Sequence, residues 1–279
     1  MNLTDHNRQN KIALINDFSG FGRCSIAVAL PIISQLKIQA CPVPTSIFSN
    51  HTGFKHFYFD DYTSHMKEYI DNWKLLDLHF NGILTGFLGS AEQIDIVSNF
   101  IKDFKDNSTK VIIDPVMGDN GHPYPTYTAD MCLKMKELAC HGDILTPNLT
   151  EACILTDTPY IPDDFSESDY FRLADHLCRL GPSKIVITGI SQDDAIGNVI
   201  YEKGREPVMF YQPRVGHERS GTGDVFSAII AADSVHDVDF VESVKKASAF
   251  VRDCILVTEK FDIPPTDGVC FEEILHTLS

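Results

Sequence analysis

The sequence has no uninterrupted apolar run near the roughly 18 residues that a membrane-spanning helix requires, and its first eleven residues are polar, without the apolar core of a secretory signal. A membrane partner is therefore not expected, and the chain reads as cytoplasmic. Basic residues are scarce: 23 Lys and Arg stand against 39 Asp and Glu, a formal net charge of -16. Phosphate-backbone binding depends on clustered Lys and Arg, and these are scattered, so nucleic acid is excluded as a partner and any anionic ligand must be held locally. The eight cysteines, Cys24, Cys41, Cys132, Cys140, Cys153, Cys178, Cys254 and Cys270, include no pair at the two-to-four-residue spacing of a zinc knuckle or a thioredoxin-like motif. Free thiols in a reducing compartment are the expectation. Repeats, low-complexity tracts and linkers are also missing, so one domain spanning residues 1–279 is the economical reading.

What is present is a regular alternation. Short β-branched runs at 11–16, 38–45, 82–86, 111–114, 144–146 and 184–189 are separated by stretches at 61–78, 90–105, 129–139 and 166–180 whose apolar residues fall three and four apart. This predicts a three-layer αβα fold with a mostly parallel central sheet. After residue 189 the pattern changes to two strands, 198–202 and 207–212, paired antiparallel through Lys203-Gly204-Arg205, followed by helices at about 224–232 and 238–257. An antiparallel C-terminal edge is expected. Ligands of open α/β sheets sit beyond the carboxyl ends of the strands, and the chemistry-bearing segments lie at those ends.

Gly221-Thr222-Gly223-Asp224 precedes the apolar helical run 225–230. Two glycines permit a tight turn and leave backbone N–H groups free at a helix start, where phosphate charge is stabilised; a carboxylate beside such a site helps only by taking a proton. In isolation the segment also reads as a glycine turn with Asp or Thr as cap. The strand at 111–113 runs into Asp114-Pro115-Val116-Met117-Gly118-Asp119, two acids five residues apart that a turn can aim into one crevice, where Mg²⁺ takes oxygen ligands. Solvated turn acids are the alternative. The following residues 120–127 have the Gly, Pro and aromatic content of a lid, or of a static surface loop. Thr146-Pro147-Asn148-Leu149-Thr150-Glu151 begins a helix with Asn148 or Thr146 as cap and Glu151 closing a capping arrangement; a role for Asn148 and Glu151 at phosphate and metal is compatible with it. Near the N-terminus, Asn16-Asp17-Phe18-Ser19-Gly20-Phe21-Gly22 lacks both the Lys-Ser/Thr ending of a P-loop and the GxGxxG spacing of a dinucleotide site, which disfavours a Rossmann dehydrogenase.

Taken in order with Phe48-Ser49-Asn50-His51-Thr52-Gly53, Thr85-Gly86-Phe87 and Ile187-Thr188, these segments resemble the ribokinase superfamily, and within it the pyridoxal and pyridoxamine kinases of vitamin B6 salvage. The resemblance covers essentially the whole chain. It implies ATP-dependent phosphorylation of a hydroxymethyl group, with Asp224 as catalytic base and the N–H groups of Gly221, Thr222 and Gly223 as anion hole. It further implies Asp114, Asn148, Glu151 and Thr188 at the nucleotide phosphates, with Asp114 and Glu151 toward Mg²⁺, and Asp119 and Tyr127 as lid-side ATP contacts. Asp17, Ser19, Thr45, His51 and Phe87 are expected to face the pyridine ring. A homodimer and activation by a monovalent cation such as K⁺ are further family expectations.

Two departures bear on the substrate. The Ser-His pair that follows the first strand in pyridoxal kinases is replaced by a turn closer to the Ser-Gly-Gly of hydroxymethylpyrimidine kinases, and Phe87 stands where many pyridoxal kinases carry Tyr. A hydroxymethylpyrimidine kinase of thiamine synthesis is the nearest alternative. A non-catalytic vitamin- or nucleotide-binding protein on the same fold is the other, against which the retained Asp224, Asp114 and Glu151 argue.

Overall fold

Apolar side chains alternate between two cores along each central strand. The structure, a computed structural model, describes residues 5–161 and 165–278; residues 1–4, the start of the polar N-terminal stretch, lie outside the described residues. In chain order the strands and helices are β1 (Lys11–Ser19), α1 (Ser25–Gln35), β2 (Gln39–Phe48), β3 (Phe59–Asp61), α2 (Thr63–Leu75), β4 (Gly82–Thr85), α3 (Ala91–Phe104), β5 (Lys110–Ile113), β6 (Gly118–Asp119), β7 (His122–Pro123) and α4 (Ala129–Ala139). Then follow β8 (Ile144–Leu145), α5 (Leu149–Leu155), α6 (Glu167–Leu180), β9 (Lys184–Gln192), β10 (Ala195–Glu202), β11 (Val208–Pro213), α7 (Thr222–Val235) and α8 (Phe240–Thr258).

Nine strands form one sheet in the order β11-β10-β9-β8-β5-β4-β1-β2-β3, parallel from β9 to β2. Ile12, Leu14, Leu84, Ile112, Ile144 and Val186 enter a core shared with α1, α7 and α8. Their neighbours Ala13, Ile15, Ile83, Val111, Ile113, Leu145, Ile185 and Ile187 enter the core on the opposite face, under α2 to α6. This period-two division explains why the strands read as continuous apolar runs: each is covered on both sides. Helix α7 is buried nearly throughout, from Val225 to Asp233, because it packs on the sheet between α1 and α8.

The antiparallel C-terminal edge is present, but it begins earlier than the sequence pattern indicates. Strand β9 runs past Gly189, which has φ +73°, to Gln192, and the chain turns at Asp193 into β10. The predicted strand at 198–202 is therefore the second half of β10, whose start is masked by a register shift between Gly197 and Val199. The opposite edge carries a strand not anticipated, the three-residue β3, antiparallel to β2. Residues 120–127 form no open loop at their start: Asn120 and Gly121, both at positive φ, close a two-residue hairpin between β6 and β7. After α8, short 3₁₀ turns at Glu259–Phe261, Pro265–Asp267, Phe271–Glu273 and Leu275–Leu278 carry the tail back across the start of α7. There Arg219 donates to Glu259 and to the carbonyls of Ile263 and Pro264, and Arg23 pairs with Glu272 and donates to the Asp267 carbonyl.

Phe100 of α3 sits at the centre of the larger aromatic group, 4.5 Å from Phe104, 5.9 Å from Phe80 and 6.3 Å from Trp73 between ring centroids. Phe100→Ala is expected to lower unfolding free energy by about 3–5 kcal/mol, read from urea midpoints at unchanged slope. A loss below about 1 kcal/mol would show that the cluster does not support this face.

Candidate active site

The carboxyl ends of β1, β4, β5, β8 and β9 and the start of α7 converge on one crevice. Gly221 caps α7 in the left-handed region at φ +79°, and a Cβ there would lie 2.0 Å from the Arg23 carbonyl oxygen, so only glycine fits. At Gly223 a Cβ would meet nothing within 4 Å, which leaves the first turn open on that side. The Thr222 hydroxyl donates to the Arg219 carbonyl at 3.3 Å and tightens the turn. Asp224 follows, with its carboxylate accepting from Asn16 Nδ2 at 3.1 Å and lying near the Ser25 backbone N–H. Burial pushes its pKa up to about 6, and the charge of Asp17 adds to the rise, while the Ser25 and Asn16 donors hold part of it back.

Asp17 is buried where β1 shifts register against β2. Its oxygens accept from Ser25 Oγ at 2.6 Å and Ser19 Oγ at 3.0 Å, yet burial still raises its pKa. Ser25, at φ +55°, thereby stands between the two acids, its hydroxyl bound to Asp17 and its N–H lowering the Asp224 pKa. A non-glycine residue in this region is strained, and the 2.6 Å bond to Asp17 helps to hold it there. The adjacent Cys24 thiol is pushed up to about 12 by burial and by the two carboxylates, which excludes thiolate chemistry there.

Across the crevice, Asp114 ends β5. Burial and the charges of Glu151 and Asp224 raise its pKa well above the usual range, partly offset by the nearby Ser227 hydroxyl, whose own bond goes to the Asp224 carbonyl. Glu151 forms a capping box with Asn148 at the start of α5, so the cap reading holds in full: its oxygens accept from the N–H groups of Asn148 at 2.9 Å and Met117 at 3.1 Å. Burial nevertheless pushes Glu151 up. Asn148 Nδ2 donates to the Gly118 carbonyl at 2.8 Å, and Asn148 bridges Thr188, which extends the sheet by one pairing. Asp119 is exposed at the hairpin, where it accepts from the Asn120 N–H.

Other candidates lie differently from one another. Thr45 is buried and donates to the Phe87 carbonyl at 3.0 Å. Phe87 packs edge-on to Phe48 at 6.3 Å, and its N–H donates to Asn16 Oδ1. Both ring nitrogens of His51 are engaged: Nδ1 accepts from the Gly53 N–H, so Nε2 carries the proton given to the Thr266 carbonyl at 2.8 Å. Tyr127 is buried in the core under α4 and α5. Tyr124, half-exposed three residues earlier, is the tyrosine whose hydroxyl feels Glu151, Asp119, Asp114 and Asp224, all of which raise its pKa. Asn16, Ser25, Ser227 and Tyr124 escaped the sequence reading. For Asn16 the signal was at hand, an amide directly before the acid that leaves the first strand.

Asp17, Asp114, Glu151 and Asp224 thus share a crevice in which none of the described ion pairs engages them. Among the described residues no group of three metal-ligating side chains is assembled. Two carboxylates, Asp114 and Glu151, both raised first by burial and then by neighbouring acids, suit Mg²⁺, which is commonly held by one or two carboxylates together with substrate phosphates.

A glycine-rich helix start beside a half-buried carboxylate, facing two further acids across a sheet of this order, defines a small-molecule kinase of the ribokinase-like fold. The chain belongs to the phosphomethylpyrimidine kinase family, whose model matches residues 26–268. A Bacteroides thetaiotaomicron protein provisionally classed as a phosphomethylpyrimidine kinase, crystallised with pyridoxal, is 34% identical and superposes with a TM-score of 0.93 over 97% of this chain and 96% of its own. Pyridoxal kinase of Arabidopsis thaliana is 30% identical over 198 residues, 68% of this chain and 62% of that protein. A Leishmania donovani pyridoxal kinase solved with ADP and pyridoxamine shares the fold, with a TM-score of 0.85 at 20% identity over 96% of this chain and 95% of that one. The chain spans 59 to 71% of the length of four curated eukaryotic relatives.

Because folding raises the Asp224 pKa, the stability it contributes is full below about pH 4, the unfolded value, and is lost as pH rises through about 6. Asp224→Asn is therefore expected to melt above the wild type at pH 8, with the advantage shrinking toward pH 4, as followed by circular dichroism. A variant that melts lower at pH 8 would show that the charged form is favoured by the fold.

Proposed function

We propose that this chain transfers the γ-phosphoryl group of ATP to the 5′-hydroxymethyl group of pyridoxal, pyridoxamine or pyridoxine. The observation that carries the reading is the placement of the Asp224 carboxylate at the open, glycine-lined start of α7, held by Asn16. The 34% identical relative crystallised with pyridoxal supports the ring assignment.

Phosphoryl transfer needs in-line positioning and stabilisation of charge on the transferring group. The N–H groups around Gly221, Thr222 and Gly223 supply positive dipole ends at the phosphate. Asp224, even at about 6, is far too weak to deprotonate an alcohol in advance, so it orients the hydroxyl and accepts its proton as the O–P bond forms. Asp114 and Glu151 would hold Mg²⁺ on the phosphates, where the ion neutralises developing negative charge. Asn148, Thr188 and Asp119 belong to the nucleotide side in this reading, where the exposed Tyr124 rather than the core residue Tyr127 is the tyrosine available, and Asp17, Ser19, Thr45, His51 and Phe87 belong to the ring side. A monovalent cation, a homodimeric state and a cytoplasmic location complete the proposal on the strength of the family resemblance.

The test is steady-state phosphorylation with ATP and Mg²⁺ of pyridoxal, pyridoxamine, pyridoxine and hydroxymethylpyrimidine. A B6 vitamer is expected to give the highest kcat/KM, and a clear preference for the pyrimidine would transfer the protein to thiamine chemistry. Asp224→Asn should lower turnover by about 10² to 10⁴ with ATP binding retained, and in the wild type kcat/KM should rise with pH through about 6 as Asp224 loses its proton. Near wild-type turnover of the variant would remove Asp224 from the chemistry.

A further inference from the structure

Asn16 is buried at the point where β1 stops pairing regularly with β2, and its carboxamide touches three segments of the site. Its Oδ1 accepts the N–H of Phe87 at 2.8 Å and that of Asp17 at 2.9 Å. Two N–H donors on one atom fix which end of the amide is oxygen, so the other end must be Nδ2, and it meets Asp224 Oδ1 at 3.1 Å. Space for this group is reserved by Gly86, where a Cβ would fall 2.3 Å from Asn16 Nδ2. A buried amide that merely satisfied backbone groups would need neither the third contact nor the vacancy opposite it.

We propose that Asn16 is the positioning residue of the reaction: its Nδ2 aims the Asp224 carboxylate while its Oδ1 anchors the Phe87 segment, so that acceptor wall and proton acceptor are set from one side chain. The inference rests on the kinase reading given above. The carboxylate, held at Oδ1 by Asn16, keeps its second oxygen for the incoming hydroxyl. No covalent step involves Asn16, and it neither gains nor loses a proton.

Asn16→Asp separates its two roles. It keeps the shape and the oxygen that receives the two backbone N–H groups, and it replaces the donor facing Asp224 by a second oxygen. With pyridoxal, ATP and Mg²⁺, kcat is expected to fall about tenfold to a hundredfold, the value of a hydrogen bond to a charged group, with the pyridoxal KM within about threefold of wild type. Asn16→Ala, which frees the Phe87 segment as well, should lower kcat and raise that KM by about fivefold or more. Gly86→Ala leaves the amide chemically intact but displaces it, and should reproduce the kcat loss. If Asn16→Asp retains wild-type kcat, or loses activity through KM alone, the inference is overturned; if it fails to fold by circular dichroism, wild-type kcat in Gly86→Ala overturns it instead. A wild-type protein that phosphorylates none of the four acceptors overturns the kinase reading and this inference with it, whereas an active wild type with an indifferent Asn16→Asp overturns the inference alone.

Discussion

Four carboxylates gathered in a crevice without a paired lysine or arginine is the constraint around which the rest of this structure is organised. Asp17, Asp114, Glu151 and Asp224 each have a raised pKa, and in each case burial is the largest cause. Such a group is tolerable only if neutral donors are aimed at it. The chain supplies hydroxyls at Asp17, backbone N–H groups at Glu151 and an amide at Asp224. Ser25, at positive φ, carries one of those hydroxyls, and glycine is obligatory at 221 because a Cβ there would strike the Arg23 carbonyl.

The acidic composition has a local rationale in this arrangement. A site that relies on helix N–H groups and a divalent cation for handling phosphate has little use for basic side chains, so a net charge of -16 is no obstacle to binding an anion. In the proposed reaction a cation and the helix N–H dipoles would offset the repulsion among these carboxylates, so that the protein holds the negative half of the charge distribution in advance.

Much of the frame was legible because its physics is periodic. Strands covered on both faces announce themselves as short apolar runs, and the Asn148 to Glu151 capping box is visible as letters three apart. What failed to show was of two kinds. The short β3 and the first half of β10 depend on a partner strand far away in sequence rather than on their own pattern. The roles of Asn16, Ser25 and Tyr124 depend on contacts between distant segments: Asn16 and Asp224 are 208 positions apart, and no local spacing encodes that meeting. His51 shows the converse, a residue set toward the pyridine ring by family resemblance alone, whose ring is tied at both nitrogens to the backbone.

The tail that returns across α7 has a temporal meaning. The loop before Gly221 is braced by Arg219 against Glu259 and the carbonyls of Ile263 and Pro264, and the segment around Arg23 is braced against Asp267 and Glu272. During synthesis the sheet can assemble from its N-terminal strands, yet the turn before Gly221 gains its bracing only once residues 259–272 have also been made. The site is thus finished by a segment made later than the sheet that carries it.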